Sequence, residues 1–185
     1  MEFYQRQKYL AQVLYSVNAS AYVAEPGASA QFFGNISNRQ WHLSERPLLL
    51  IISPNLMNGE IEAKISVLTP SFEATRARLL HIPSLSDVTF PEWQEDANPY
   101  DVAISAFPTP ADGRGKIFVD GNIRHFVVDG LAKAGPKLMV SSAPMEIRHL
   151  RERKSLAEIA LLKCANEARF FQVTVITGNL RAGYR

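Results

Sequence analysis

The chain has 185 residues, 46% of them hydrophobic and 21% charged, with a net charge of +2. That length suits one domain able to bury a core without disulfide staples, and Cys164, the only cysteine, excludes an intrachain disulfide. The balanced charge, with no Lys/Arg block interleaved with aromatics, argues against nucleic acid as a partner. The longest apolar run, Leu48–Ile52, is far too short to cross a bilayer, so no membrane partner is expected. Met1–Leu10 is polar and lacks the apolar core of a signal peptide, which makes the cytoplasm the expected location.

Phe3–Val17 reads as a helix, with Leu10, Val13, Leu14 and Val17 on one apolar face. Ala21–Ala24 is a short strand closed by the turn Glu25-Pro26-Gly27. Ala28–Phe33 makes a helical turn that Gly34-Asn35 can end at positive φ. Asn38–Glu45 is polar around one large aromatic, Trp41. Leu48–Ile52 is apolar at every position, the mark of an interior strand covered on both faces, and Ser53-Pro54-Asn55 is read as its stop.

Lys64–Leu68 is the next strand, and Pro70 opens a helix toward Leu79. Leu80–Pro83 reads as a further short strand, Ser84–Pro99 as turns, and Tyr100–Phe107 as either a helical turn or a strand. Pro108–Gly115 reads as a loop and Lys116–Val119 as a strand. Asp120 is the expected cap of a helix whose apolar face is Ile123, Phe126, Val127 and Leu131, stopped by Gly135-Pro136. Leu138–Val140 is the last strand, ended by Ser141-Ser142. The charged stretch Ile147–Lys154 reads as a connector. Ser155 and Glu158 form a capping box that opens the final helix. Strands alternating with helices make the expected class α/β: a single domain with a mixed sheet flanked by helices, then a C-terminal helix and an irregular tail.

A self-contained active site does not emerge. The four histidines, His42, His81, His125 and His149, share no metal-ligand spacing and read as structural or solvated. Ser142 with His149 lacks the glycine-framed elbow of a nucleophile. Asp112–Lys116 is too short for a phosphate loop. Glu92, Glu95, Asp96 and Asp101 lie in loop-like sequence and read as solvated acids. Cys164 sits beside Leu161, Leu162 and Ala165 in a helical pattern and reads as a buried small hydrophobe.

Four segments, in order and spacing, carry a resemblance. They are Ala21–Pro26 with Phe33–Ser37, Trp41–Pro47, Leu68–Arg78, and Ile147–Glu167. Together the stretch from about Tyr4 to Glu167 resembles the N-terminal domain of fungal-type Xaa-Pro aminopeptidases of the creatinase/prolidase family. The resemblance implies a creatinase N-terminal-like α/β domain over 1–147. It also implies a connector with the first helix of an absent metallopeptidase domain over 148–168, and a divergent tail over 169–185.

In that family the catalytic half holds two divalent metals, often manganese, on carboxylates and an imidazole. No counterpart of those ligands is matched here, so no cofactor is expected in this chain and the chain alone is expected not to cleave Xaa-Pro bonds. After Glu167 the β-branched run around Val173–Thr177 departs from the family's amphipathic helix, as in a truncated product. The implied role is dimerisation and shaping of a partner's substrate site, with proline-containing peptides bound only by the complete enzyme. The candidate wall is the loop carrying Asn35, Arg39 and Trp41; Trp41 either anchors that wall or packs on its own sheet. The alternative is a standalone regulatory module that pairs, as a homodimer or with a full-length homologue, through the same surface.

Overall fold

The computed structural model describes residues 2–108 and 114–182, with the side chains of 170–182 excepted. Six strands form one mixed sheet in the order β4-β3-β2-β1-β5-β6. They are β1 (Ala21–Ala24), β2 (Leu49–Met57), β3 (Glu60–Pro70), β4 (Glu92–Trp93), β5 (Lys116–Val119) and β6 (Met139–Ser142). β2 runs antiparallel to both β1 and β3, whereas β1, β5 and β6 run parallel to one another. The unbroken apolar run of β2 therefore lies in the sheet interior, as expected.

Alternation along the strands builds two cores. Tyr22, Leu50, Ile52, Ile65 and Val67 face α1 (Glu2–Ser16), α2 (Ala28–Gly34), α3 (Ala74–Arg78) and α6 (Met145–Glu152). Val23, Leu49, Ile51, Leu68 and Val119 face α4 (Pro99–Ser105) and α5 (His125–Ala134). Each fully buried Leu or Ile contributes about 1.5–3 kcal/mol over its exposed state. β2 feeds both cores over Leu49–Ile52, all four residues being fully buried.

The hairpin β2–β3 is much longer than the sequence reading. β2 does not stop at Ser53-Pro54-Asn55; its pairing continues to Met57↔Glu60. Two facts permit this. Asn58 (φ 52°) and Gly59 (φ 81°) form a turn of the left-handed kind that two-residue hairpins require. Pro54 lies beyond the last residue of β2 that pairs with β1, so its missing N–H faces an open edge. Lys8 of α1 clamps the hairpin through Glu60 and Glu62, at 2.6 Å each. These hydrogen bonds raise the Lys8 ammonium above its ordinary range and lower Glu60.

Other expectations change as well. Leu80–Pro83 is not a strand, because Leu80 and Ile82 pack on the core from an irregular segment. A short 3-10 turn, Ser71–Glu73, precedes α3. The ambiguous Tyr100–Phe107 is helical as far as Ser105, with Asn98 accepting from the Tyr100 N–H and Pro99 in the first turn. β6 includes Ser141 and Ser142, since parallel pairing to β5 extends to Val119↔Ser142. The expected connector is α6 for most of its length: Pro144 precedes it, and Ile147 is buried on the first core. The loop expected over Pro108–Gly115 lies for its central part, 109–113, outside the described residues.

α4 and α5 meet through Gly130. A Cβ there would stand 2.1 Å from Cε2 of Tyr100, well inside contact distance. Gly130→Ala is expected to lower stability by about 1–2 kcal/mol, because the steric cost outweighs the gain in helix propensity. A urea midpoint equal to or above that of the parent would show that the Tyr100 ring simply swings away.

The chain divides into two units, Met1–Leu150 and Arg151–Arg185. The second holds α7 (Leu156–Ala182). Its capping box forms as expected: Ser155 N–H donates to Glu158 Oε2 at 2.9 Å and Glu158 N–H to Ser155 Oγ at 3.1 Å. The tail expected to be irregular from Arg169 continues this helix to Ala182; once a capped turn is nucleated, each β-branched residue opposes propagation by only about 0.5 kcal/mol. Cys164, expected to be buried, is exposed on α7. Among the described residues its unit has one long helix, and a lone helix has no core of its own. No helix of the described residues is long and apolar enough to cross a membrane.

Candidate functional site

β1 and β5 are adjacent and parallel, yet their chains leave the sheet to opposite faces. β1 leads into α2, whose Ala30 and Phe33 join the first core. β5 leads into α5, whose Val127 and Leu131 join the second. Diverging connections leave a crevice at the carboxyl ends of the two strands, the position where open α/β sheets place ligands. A cleft of about 370 Å³ lies there. Glu25 and Asp120, the residues following β1 and β5, line its floor; Asn122, Asn38, His42 and Leu43 line its sides.

The two carboxylates have different surroundings. Glu25 is 7% exposed and fully engaged by Arg124. Oε1 accepts from Nε at 2.8 Å and Nη2 at 2.6 Å, and Oε2 accepts from the Arg124 backbone N–H at 2.8 Å. Such charge-assisted bonds, two guanidinium donors on one oxygen and a backbone N–H on the other, fix both partners. They also determine where α5 begins, because Arg124 is its N-cap residue.

Asp120 is not the helix cap that the sequence suggested. Its Oδ1 accepts from the Tyr22 hydroxyl at 2.9 Å and the Ser29 hydroxyl at 2.7 Å. α5 starts at His125, too far along the chain for Asp120 to serve its first turn. Tyr100, on α4, is held above the usual phenol range by burial, with the Glu25 charge adding to the effect, so it stays neutral near pH 7.

The loop expected to form a wall runs beside this cleft. Asn35 ends α2 in the left-handed conformation (φ 57°) and donates from Nδ2 to the His81 carbonyl at 3.2 Å. Arg39 is exposed. Trp41 is 2% exposed and belongs to the first core, the cluster that also holds Ile36, Leu48 and Ala77. The Arg76 guanidinium lies 4.2 Å from its ring centroid and donates to the Gln40 carbonyl at 2.9 Å. Of the two expectations for Trp41, the structure shows packing on its own domain. Asn35 and Arg39 remain on the surface side of that loop, next to Asn38 and His42, which sequence reasoning did not single out. Only the fold brings Asn38 and His42 to the strand ends, and no local signal marks them.

The other weighed constellations stay apart or solvated. Arg46 pairs with Glu95 and Arg78 with Glu92 on the surface. His42, His81, His125 and His149 are all exposed. Among the described residues there is no group of three His, Cys, Asp or Glu that could hold a metal ion. In the cleft itself Glu25 is neutralised by Arg124 and Asp120 is held by hydroxyls, so these residues do not fit a dinuclear centre, which needs several free carboxylates and imidazoles.

No family model matches the chain. It is 34% identical over 169 residues to an uncharacterised peptidase of Schizosaccharomyces pombe, a match covering 90% of this chain and 36% of that protein. The chain thus spans about a third of the length of the curated relative it matches. The dipeptidase PepE of Mycobacterium ulcerans superposes with a TM-score of 0.63 at 19% identity, over 86% of this chain and 39% of that one. The creatinase/prolidase N-terminal domain of an X-Pro dipeptidase from Streptococcus pyogenes superposes with a TM-score of 0.56 at 11% identity, over 79% of this chain and 98% of that one. The chain therefore has the creatinase/prolidase N-terminal-domain fold and is a homologue of peptidases over their N-terminal portion only.

Proposed function

We propose that this chain serves as the non-catalytic N-terminal domain of a Xaa-Pro aminopeptidase-type metallopeptidase, providing a dimer surface and one wall of a partner's substrate site. The observation that carries the reading is coverage. The chain matches an isolated N-terminal domain of an X-Pro dipeptidase over 98% of that domain, and spans 36% of a peptidase to which it is 34% identical. Cleavage and the two divalent metals of manganese type then belong to residues of the complete enzyme, and proline-containing peptides are its substrates. The wall is the exposed side of the loop with Asn35 and Arg39, held from beneath by buried Trp41.

The test combines assembly with kinetics. The purified chain should run as a dimer, or as a complex with a full-length homologue, in size-exclusion chromatography with light scattering. In the assembled enzyme Arg39→Ala should raise KM for a Xaa-Pro peptide by about three- to tenfold with kcat little changed, the signature of a binding wall. A strictly monomeric chain whose Arg39 variant leaves KM unchanged in the complete enzyme would overturn the reading.

A further inference from the structure

The cleft at the ends of β1 and β5 contains one carboxylate that no ion pair among the described residues neutralises. Glu25 is neutralised by Arg124 through three hydrogen bonds. Asp120 makes no ion pair among the described residues; the Arg148 guanidinium comes near its neighbour, with Nη2 3.9 Å from where a Cβ of Gly121 would stand. Its Oδ1 is fixed by two neutral hydroxyls, from Tyr22 and Ser29. The second oxygen, Oδ2, accepts no hydrogen bond among the described residues, and Asp120 lines the cleft. The amides of Asn38 and Asn122 and the imidazole of His42, all groups able to hydrogen-bond, line the same cleft. The volume of about 370 Å³ lies in the range of small-ligand sites.

We infer that this cleft binds a primary ammonium group, with Asp120 as its counter-ion and Asn38 and Asn122 as hydrogen-bond partners. The ligand class is an amine presented by a peptide, either its amino terminus or a lysine side chain. The carboxylate supplies the charge, and the amide oxygens of Asn38 and Asn122 can accept from the ammonium. An ammonium offers three donors, which matches an arrangement richer in acceptors than in cations. The inference does not rest on the peptidase reading.

The experiment uses the full chain, isotope-labelled, in amide NMR titrations with three probes: n-butylamine, a short lysine-free peptide with a free amino terminus, and an N-acetylated peptide containing one lysine. Shifts clustered at residues 25–28, 38–43 and 120–123, saturating in the range of about 1–20 mM and weakening as salt is raised, are the expected result. The second and third probes distinguish an amino terminus from a side chain. Asp120→Asn keeps an oxygen that can accept from Tyr22 and Ser29, and should weaken binding by about tenfold or more. Should that variant not fold, Asn122→Leu, at the cleft wall, should weaken binding by about three- to tenfold. Absence of saturable shifts for all three probes overturns the inference. So does binding that is equal in the Asp120→Asn and parent proteins, or displacement of n-butylamine by manganese chloride at equal ionic strength.

Discussion

Trp41→Ala is expected to destabilise the domain by about 3–5 kcal/mol, the range for removing a buried tryptophan. The indole is 2% exposed and belongs to the first core, with Ile36, Leu48 and Ala77 among its members. Its loss also leaves the Arg76 guanidinium without the ring face it covers at 4.2 Å. Alanine cannot fill that volume, and the loop 37–46, which has little regular structure to hold it, is the segment most affected. In a chain of this size each kcal/mol lowers Tm by about 2–4 °C, so a drop of roughly 6–20 °C should be read in thermal unfolding by circular dichroism. A variant with unchanged Tm that instead loses self-association would return Trp41 to the role of an interface anchor. Arg76→Ala, by contrast, removes a half-exposed cation and should cost only about 0.5–1 kcal/mol.

Glu25→Ala carries the second large effect. The carboxylate accepts three hydrogen bonds from Arg124, one from the backbone at the start of α5 and two from the guanidinium. Removing it strands a backbone donor and a cation that is 31% exposed. Breaking a fully buried pair costs about 3–5 kcal/mol, and partial access of Arg124 to water reduces the expectation here to about 2–3 kcal/mol. The loss should be largest in hydrogen-exchange protection at the first turn of α5, because Arg124 is its N-cap residue. Glu25→Gln keeps an acceptor of the same shape and should lose roughly half as much. Uniform loss of protection across the sheet, with α5 no worse than the rest, would show that the pair does not govern the entry into α5.

Several elements were legible because their causes are local. The run Leu48–Ile52 has no polar face, so only an interior strand accommodates it. Ser155 and Glu158 cap α7 by contacts three residues apart, and Asn35 ends α2 through its own tolerance of positive φ. One legible signal was overruled. Asn58-Gly59 is a hairpin turn in its own right, but Ser53-Pro54 upstream suggested that the strand had already ended. Proline breaks a strand only where its N–H would be needed, and that depends on the reach of β1, a neighbour far away in sequence.

By itself, then, the sequence determined the α/β class, the central strand, the ends of α1 and α2, the start of α7 and the resemblance to a peptidase N-terminal domain, because each follows from residues a few positions apart or from the order of segments. Tertiary structure alone decided the site. Glu25 and Arg124 are 99 residues apart, and Asp120 lies 91 from Ser29 and 98 from Tyr22. Whether Asp120 caps a helix or faces a cleft depends on β5 lying parallel beside β1. Whether Trp41 points to solvent or into the core depends on α3 and Arg76 closing over it. Side chains so far apart in the chain are brought together by sheet pairing and core burial, and no window of sequence records which partner each polar group will meet.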